Sequence, residues 1–156
     1  MEALATAVLH HRAAPPPRRA HYDWLIRPPA CWGDTGSGDI GPGRSGCPAD
    51  RPLTTWRLDV HPAQWAEAGR VLLEALPDHR PAWLRRSGPV SGGRGWAVRV
   101  DRGVAHAGLW TPHRRLLTLR LAHGGALRAD LRRIGPDRWA CVFTRAPAEG
   151  FDLTGL

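Results

Sequence analysis

The chain has 156 residues, of which 42% are hydrophobic, and carries a formal charge of +8 at pH 7. This length and composition predict one compact domain over residues 1–156 and exclude a disordered polar chain. The positive charge favours a polyanionic partner such as nucleic acid.

Arginine supplies all of the positive charge, because the chain has 22 basic residues and no lysine. Guanidinium groups suit bidentate phosphate contacts, but a GC-rich codon bias explains the missing lysine at least as well. Cys31, Cys47 and Cys141 are widely spaced and form no CxxC pair, which argues against a disulfide framework or a zinc ribbon. Without an export signal or a membrane-spanning apolar run, the chain is expected to be soluble and cytoplasmic.

The first third of the chain alternates short strands with irregular segments. Residues 3–11 predict a strand that ends in two histidines, and a proline-rich turn leads to a second strand over 21–26. The Gly- and Pro-rich segment 27–52 has no periodicity and is expected to form a long loop. The β-branched and aromatic residues at 54–58 predict a third strand that pairs with the second.

The hydrophobic period then changes. Apolar side chains recur at helical spacing at Trp65, Ala68, Leu72, Leu73 and Leu76. This pattern predicts an α-helix within residues 62–76. The two prolines of the following connection, 76–81, make it rigid and non-helical, and a glycine-rich loop occupies 87–95.

The rest of the chain reads as a β meander with a turn at 101–103. Further strands are predicted at 104–110, 115–121, 126–134 and 138–145, with a loose tail from residue 146. We therefore expect a mainly β fold, a small antiparallel β barrel with one flanking α-helix. Periodicity places five tryptophans in the core: Trp56, Trp65, Trp96, Trp110 and Trp139. Trp32 and Trp83 lie in irregular segments, where packing is the default interpretation and stacking on bases the alternative.

Two candidates for metal or acid–base chemistry stand out. His21 and Asp23 are two residues apart on a predicted strand, so their side chains share one face while Trp24 lies on the other. Imidazole and carboxylate together suit Mn, Zn or Fe, although this spacing is also common in ordinary polar pairs. His79 lies between two prolines, where the alternative is an exposed surface histidine.

These candidates belong to a series of motifs that resembles a known family. The motifs, in order, are His21-Tyr22-Asp23-Trp24, Thr55-Trp56-Arg57-Leu58, Leu76-Pro77-Asp78-His79-Arg80, and the run 88–95 leading to Val100-Asp101-Arg102-Gly103. Together they resemble the 3′-phosphoesterase domain of bacterial DNA ligase D and its small stand-alone relatives, over roughly residues 10–145. The resemblance implies a β barrel that trims 3′ ends with manganese in DNA repair, removing a terminal ribonucleoside and then the 3′ phosphate. The implied partners are DNA or RNA-terminated DNA 3′ ends and a separate DNA ligase or repair polymerase, with the protein itself a monomer.

The resemblance also implies residue roles. Manganese would be held by His11, His21 and Asp23, with His10 as the alternative first ligand, and would polarise a phosphate oxygen and lower the pKa of a bound water. The implied catalytic residues are His21, Asp23 and His79, of which His79 contacts the phosphate or acts as acid or base. Arg57, Arg80 and Arg94 are the candidates for binding the substrate phosphate in place of family groups that this chain lacks.

Three positions depart from the family pattern. Pro15 occupies the place of the family's first histidine, so an insertion in the proline turn is needed to bring in His11. Leu25 replaces an arginine and Trp83 a tyrosine, which removes two groups that stabilise phosphoryl charge. The alternative function is therefore a non-catalytic nucleic-acid-binding relative that keeps the barrel, and a third is a phosphoesterase for a small phosphorylated molecule. Arginine clusters at 85–86, 114–115 and 128–133 would supply a polyanion track in either of the first two cases.

Overall fold

The computed structural model describes residues 2–12, 19–29 and 52–147. Nine β-strands and two short 3₁₀ turns, at Pro62–Gln64 and Pro81–Leu84, make up the regular structure of these residues. The strands are β1 (Leu4–Arg12), β2 (His21–Ile26), β3 (Leu53–Leu58), β4 (Arg70–His79), β5 (Gly88–Pro89), β6 (Trp96–Trp110), β7 (Arg114–Leu121), β8 (Gly125–Arg133) and β9 (Arg138–Arg145).

Eight of these strands close into an antiparallel barrel. Their order around the ring is β1-β2-β3-β4-β9-β8-β7-β6, and pairing of β6 with β1 completes it. The short β5 adds to the edge of β6. The predicted antiparallel β barrel is confirmed, and the strands predicted after residue 114 agree with β7, β8 and β9 to within one residue.

The predicted α-helix within 62–76 is wrong, and the described residues contain no α-helix. The 3₁₀ turn is followed by Gly69 at φ 69° and then by β4. In β4, Val71 and Leu73 are buried, whereas Leu72 and Glu74 are exposed. This alternation has the two-residue period of a strand. The left-handed backbone conformation of Gly69 prevents a helix from continuing into β4. The adjacent pair Leu72-Leu73 fits both periods, which explains the error.

The turn predicted between Asp101 and Gly103 is also wrong, because β6 continues through it to Trp110. Asp101 is buried, and its carboxylate accepts hydrogen bonds from the backbone N–H groups of His123 (3.1 Å) and Gly124 (2.8 Å). A Cβ atom at Gly103 would lie 1.8 Å from the carbonyl oxygen of Arg120. Asp101 and Gly103 therefore allow β6 to pack closely against β7 and the turn that follows β7. This packing, and not a turn in β6, explains why turn-forming residue types occur at these positions.

The barrel interior is aromatic. Trp24 is fully buried, and the centre of its ring lies 5.2 Å from that of Trp56, 5.0 Å from Trp65 and 5.6 Å from Phe143. Its indole Nε1 donates a hydrogen bond to Thr6 Oγ1 at 3.0 Å, so the polar atom of the ring is satisfied inside the core. These contacts make Trp24 the centre of the core.

The prediction that five tryptophans lie in the core is correct for four of them. Trp56, Trp65, Trp110 and Trp139 are buried, but 51% of the Trp96 surface is exposed. Trp96 begins β6 beyond the end of β7, and it pairs there with Arg12 at the end of β1 and with Pro89 of β5 at the rim of the barrel.

A half-buried arginine lies among the indoles at one end of the barrel. The Arg115 guanidinium carbon is 4.1 Å from the ring centre of Trp110, 4.8 Å from Trp56 and 4.9 Å from Trp139. Burial lowers the pKa of Arg115 to about 10. Within the described residues its Nε and Nη1 atoms have no hydrogen-bond acceptor, so the aromatic faces are the main compensation for lost solvation.

Arg115→Met is expected to change the free energy of unfolding by less than about 1 kcal/mol, because the cost of burying the cation and its attraction to three rings are of similar size. Arg115→Ala leaves a cavity between the indoles and is expected to lose about 2–3 kcal/mol. Urea unfolding followed by tryptophan fluorescence measures both changes. A loss of more than about 2 kcal/mol in Arg115→Met would show instead that the charge is strongly stabilising.

Of the three cysteines, Cys141 is the one that lies within the described residues. Its thiol is free and buried, and burial raises its pKa. No helix in the described ranges is long and apolar enough to cross a membrane. Residues 30–51 of the predicted loop, with Trp32, Cys31 and Cys47, lie outside the described residues, as do Pro15 and the tail from residue 148.

Candidate metal centre

β1 and β2 bring three side chains with metal-binding atoms together on the outside of the barrel. His11 pairs directly with His21, and Asp23 is two residues further along β2, so all three point away from the core residue Trp24. His11 Nδ1 lies 3.6 Å from Asp23 Oδ2, and His21 Nε2 lies 3.1 Å from Asp23 Oδ1. One potential ligand atom of each residue lies within 4.8 Å of those of the other two.

Backbone carbonyl groups orient both histidine rings. His11 Nε2 is 2.9 Å from the carbonyl oxygen of Arg94, and His21 Nδ1 is 3.1 Å from that of Arg19. A carbonyl oxygen only accepts hydrogen bonds, so these two nitrogens carry the ring protons in neutral histidine. The other two nitrogens then present lone pairs toward Asp23, which is the arrangement that carbonyl partners impose on metal-binding histidines.

Asp23 completes this set of electron-pair donors. The residue is 3% exposed, and its Oδ1 accepts no hydrogen bond from the described residues. The 3.1 Å contact with His21 Nε2 therefore joins two acceptors when the histidine is neutral. A buried carboxylate oxygen without a donor is costly, and a cation between these atoms removes the cost. Two histidines and one carboxylate fit a divalent transition metal with further coordination positions open.

An open cavity adjoins the group at His21. It has a volume of about 480 Å³ and is lined by Arg19, His21, Arg57, Asp59 and Glu74. Arg57 Nη2 lies 3.5 Å from His21 Nε2, and Arg57 Nη1 lies 3.5 Å from Glu74 Oε2. We call His11, His21 and Asp23 the metal group. Arg57, one of the three arginines predicted to bind phosphate, lies beside it.

The other two predicted phosphate ligands are placed differently. The Arg94 guanidinium donates to the carbonyl oxygen of Ser91 (2.8 Å) within its own loop, and only the backbone carbonyl of Arg94 reaches the group, at His11. Arg80 is exposed and immediately precedes the second 3₁₀ turn.

His79 does not join the three residues. It pairs with Leu53 on β3, whereas Asp23 pairs with Arg57 four residues further along that strand. Four residues of strand correspond to about 13 Å. His79 Nδ1 is bonded instead to the carbonyl oxygen of Pro77 at 2.9 Å.

The choice between His10 and His11 follows from the strand register. His10 points to the opposite face from His11, and its ring stacks on Tyr22 with 4.9 Å between the centres. Burial, the largest cause, and the neighbouring Arg12 lower the pKa of His10. The histidine beside Asp23 is therefore His11.

The two departures from the family pattern meet in one apolar cluster. Leu25 lies on the same outer face as Asp23, is fully buried, and belongs to a small cluster with Leu9, Leu53 and Ala97. Trp83 and its neighbours in the segment after β4 pack over this cluster. An arginine in place of Leu25 would bury a charge there, so the apolar residues at these two positions suit each other.

Sequence reasoning missed Glu74 and Asp59 as residues near the group. Glu74 was assigned to a helix, and its place beside Arg57 depends on the pairing of β3 with β4. No signal in the sequence alone identifies Glu74, because the adjacent Leu72 and Leu73 fit a helix as well as a strand. No family model matches the chain, and no curated protein matches it.

Proposed function

We propose that this protein is a metal-dependent phosphoesterase that acts on nucleic-acid 3′ ends. The observation that carries the proposal is the convergence of His11, His21 and Asp23 beside Arg57 at the edge of an open cavity. Histidine and carboxylate ligands with an adjacent guanidinium suit hydrolysis of a phosphate ester. Removal of a 3′-terminal ribonucleoside and a 3′ phosphate in DNA repair, with manganese, is the specific form proposed.

Each residue has a distinct role in this proposal. His11, His21 and Asp23 would hold the cation, which would act as a Lewis acid on a phosphoryl oxygen. Arg57 would donate hydrogen bonds to the other phosphate oxygens, exchanging its present contact with Glu74 for the substrate. The carboxylate of Glu74 lines the same cavity and is available to accept a proton from the attacking water.

The nucleic-acid part of the proposal comes from charge. A net charge of +8 attracts polyanions, and the outer barrel surface is rich in arginine. The expected substrates are DNA and RNA-terminated DNA 3′ ends in the cytoplasm. A monomeric enzyme would leave a 3′ hydroxyl for a separate ligase or polymerase.

Release of phosphate from a primer–template with a 3′-phosphate end tests the activity. We expect release with Mn²⁺, none with a chelator, and a loss of at least about 100-fold in Asp23→Asn. Full activity in Asp23→Asn would refute the proposed site. His79→Ala is the matched comparison. The resemblance implies that His79 is catalytic, but its strand partner Leu53 is four residues from Arg57, the partner of Asp23, and we therefore expect most activity to remain in this variant.

The second candidate function is a nucleic-acid-binding protein without turnover. The observation that favours it is the apolar environment of Leu25 and Trp83, where the family has an arginine and a tyrosine. DNA binding that needs no Mn²⁺, together with no phosphate release under any metal condition, would support this candidate.

A further inference from the structure

One wall of the barrel carries an excess of arginine. Outward-facing side chains of β4, β9, β8 and β7 alternate with the buried residues of the core. We call this surface the arginine wall, and its charged residues are Arg70, Arg114, Arg120, Arg128, Arg132, Arg138, Glu74 and Asp130. Six arginines and two carboxylates leave four positive charges, half of the formal charge of the whole chain.

The two carboxylates of the wall are already engaged. Asp130 accepts hydrogen bonds from Arg114 Nε and Nη2 at 3.0 Å, and from Arg132 at 3.2 Å. Glu74 contacts Arg57, which lies outside the wall. No carboxylate of the described ranges forms an ion pair with Arg70, Arg128 or Arg138, so no described carboxylate competes with an external anion for these three guanidinium groups.

A groove on the wall combines a guanidinium with hydroxyl groups. Arg128 pairs across β8 with Thr118 on one side and with Thr144 on the other. These residues line a cavity of about 470 Å³, together with apolar side chains that include Leu116 and Val142. The carboxylate of Asp130 also lines it and is paired with Arg114 and Arg132. Arginine and threonine are common donors to the phosphates and sugars of nucleic acids.

The wall continues from the metal group. Asp23, Arg57, Glu74 and Arg138 are successive partners across β2, β3, β4 and β9. Three strand spacings, about 14 Å, therefore separate Asp23 from the first arginine of the wall. A chain of phosphates that ends at the metal group can follow this row around the barrel and reach Arg138.

We propose that the arginine wall docks the phosphate backbone of a nucleic acid whose 3′ end lies at the metal group. The choice of partner rests on the proposed function. A flexible polyanion fits the excess of positive charge on the wall and the hydroxyl groups in its groove. It also fits the continuous row of residues that leads from the wall to Asp23. An anionic membrane fits less well, because a flat surface cannot contact both the metal group and a wall that curves away around the barrel.

A charge-matched pair of variants tests the proposal. One variant replaces three wall arginines, Arg70→Gln, Arg128→Gln and Arg138→Gln. The control replaces three exposed arginines off the wall, Arg85→Gln, Arg86→Gln and Arg102→Gln. Arg85 and Arg86 belong to the polyanion track expected from the sequence, but they follow the second 3₁₀ turn and lie on no strand of the wall. Fluorescence anisotropy with a labelled primer–template, measured from about 50 to 200 mM salt, gives the affinity and its salt dependence.

We expect the wall variant to reduce the slope of log K against log salt by about 2–3, while the control changes it by less than 1. Equal losses in the two variants would show that only total charge matters and would overturn the proposal. Binding to anionic vesicles that depends on the wall, with no binding to DNA, would overturn it in favour of a membrane.

The same assay in an Asp23→Asn background separates this inference from the proposed function. We expect DNA binding through the wall to persist there, because no wall residue contacts the metal group. If the wild-type protein is active but the wall variant binds DNA as tightly as the wild type, the docking inference is refuted and the proposed function is not. In the active protein, we expect the wall variant to raise KM for long substrates about 10-fold or more and to leave kcat within about 2-fold.

Discussion

Asp23→Asn and His21→Ala are each expected to weaken binding of Mn²⁺ by about 100-fold or more, since even the loss of a residue that orients a ligand costs 10- to 100-fold. Both side chains are about 4% exposed, and the atoms with which they would bind the metal, Asp23 Oδ1 and His21 Nε2, lie 3.1 Å apart. Isothermal titration calorimetry gives the affinities directly. As a second readout, saturating Mn²⁺ at about 100 times its Kd should stabilise the wild-type fold by about 2.7 kcal/mol and should not stabilise the variants.

His10→Ala is the control for this experiment. It removes an imidazole adjacent in sequence to His11 but on the opposite face of β1, so we expect the affinity for Mn²⁺ to stay within about 3-fold of wild type. Equal loss in His10→Ala and His21→Ala would contradict the ligand set. Unchanged affinity in Asp23→Asn would show that the cation binds elsewhere.

The sequence was sufficient for the local part of the fold. Alternating side chains predicted the shared face of His21 and Asp23, and turn residues predicted β7, β8 and β9. It failed at β4, where the adjacent Leu72 and Leu73 satisfied a helical pattern as well as a strand. The burial of Leu73 against the core decides between them, and that contact is made by residues far away in the chain.

The candidate site depends on register, which a single sequence does not reveal. The pairing of His11 with His21 selects His11 over His10, and the pairing of Leu53 with His79 separates His79 from Asp23. A one-residue shift in either pairing would turn these side chains to the other face. The order of the motifs therefore predicted the candidate ligands that are close in the sequence, but it could not predict the distance between them and His79.

The apolar cluster around Leu25 changes the meaning of a missing arginine. Leu25 and Trp83 are 58 positions apart in the sequence, yet they pack on the same outer face of the barrel. Within the proposed function, Arg57 takes the place of the missing guanidinium from the neighbouring strand β3. The phosphate-binding cation would thus come from a different strand than the family pattern implies.

Trp24→Ala is expected to reduce the free energy of unfolding by about 3–5 kcal/mol, the largest stability effect of any single truncation considered for this chain. The ring packs against Trp56, Trp65 and Phe143, so its removal leaves a cavity that these rigid rings cannot fill. It also removes the donor to Thr6 Oγ1. Chemical unfolding monitored by far-UV circular dichroism measures the change.

Trp96→Ala is the matched control, because it deletes the same side chain where half of its surface is exposed, and a change within about 1 kcal/mol is expected. Similar losses at the two positions would contradict the position of Trp24 at the centre of the core. Trp24→Phe refines the test, since it keeps an aromatic ring and loses the hydrogen bond to Thr6, for an expected cost of about 1–2 kcal/mol. Because the ring and the carboxylate of Asp23 lie on opposite faces of β2, the Trp24→Phe protein should retain its affinity for Mn²⁺, which would show that core packing and metal binding are separable on this strand.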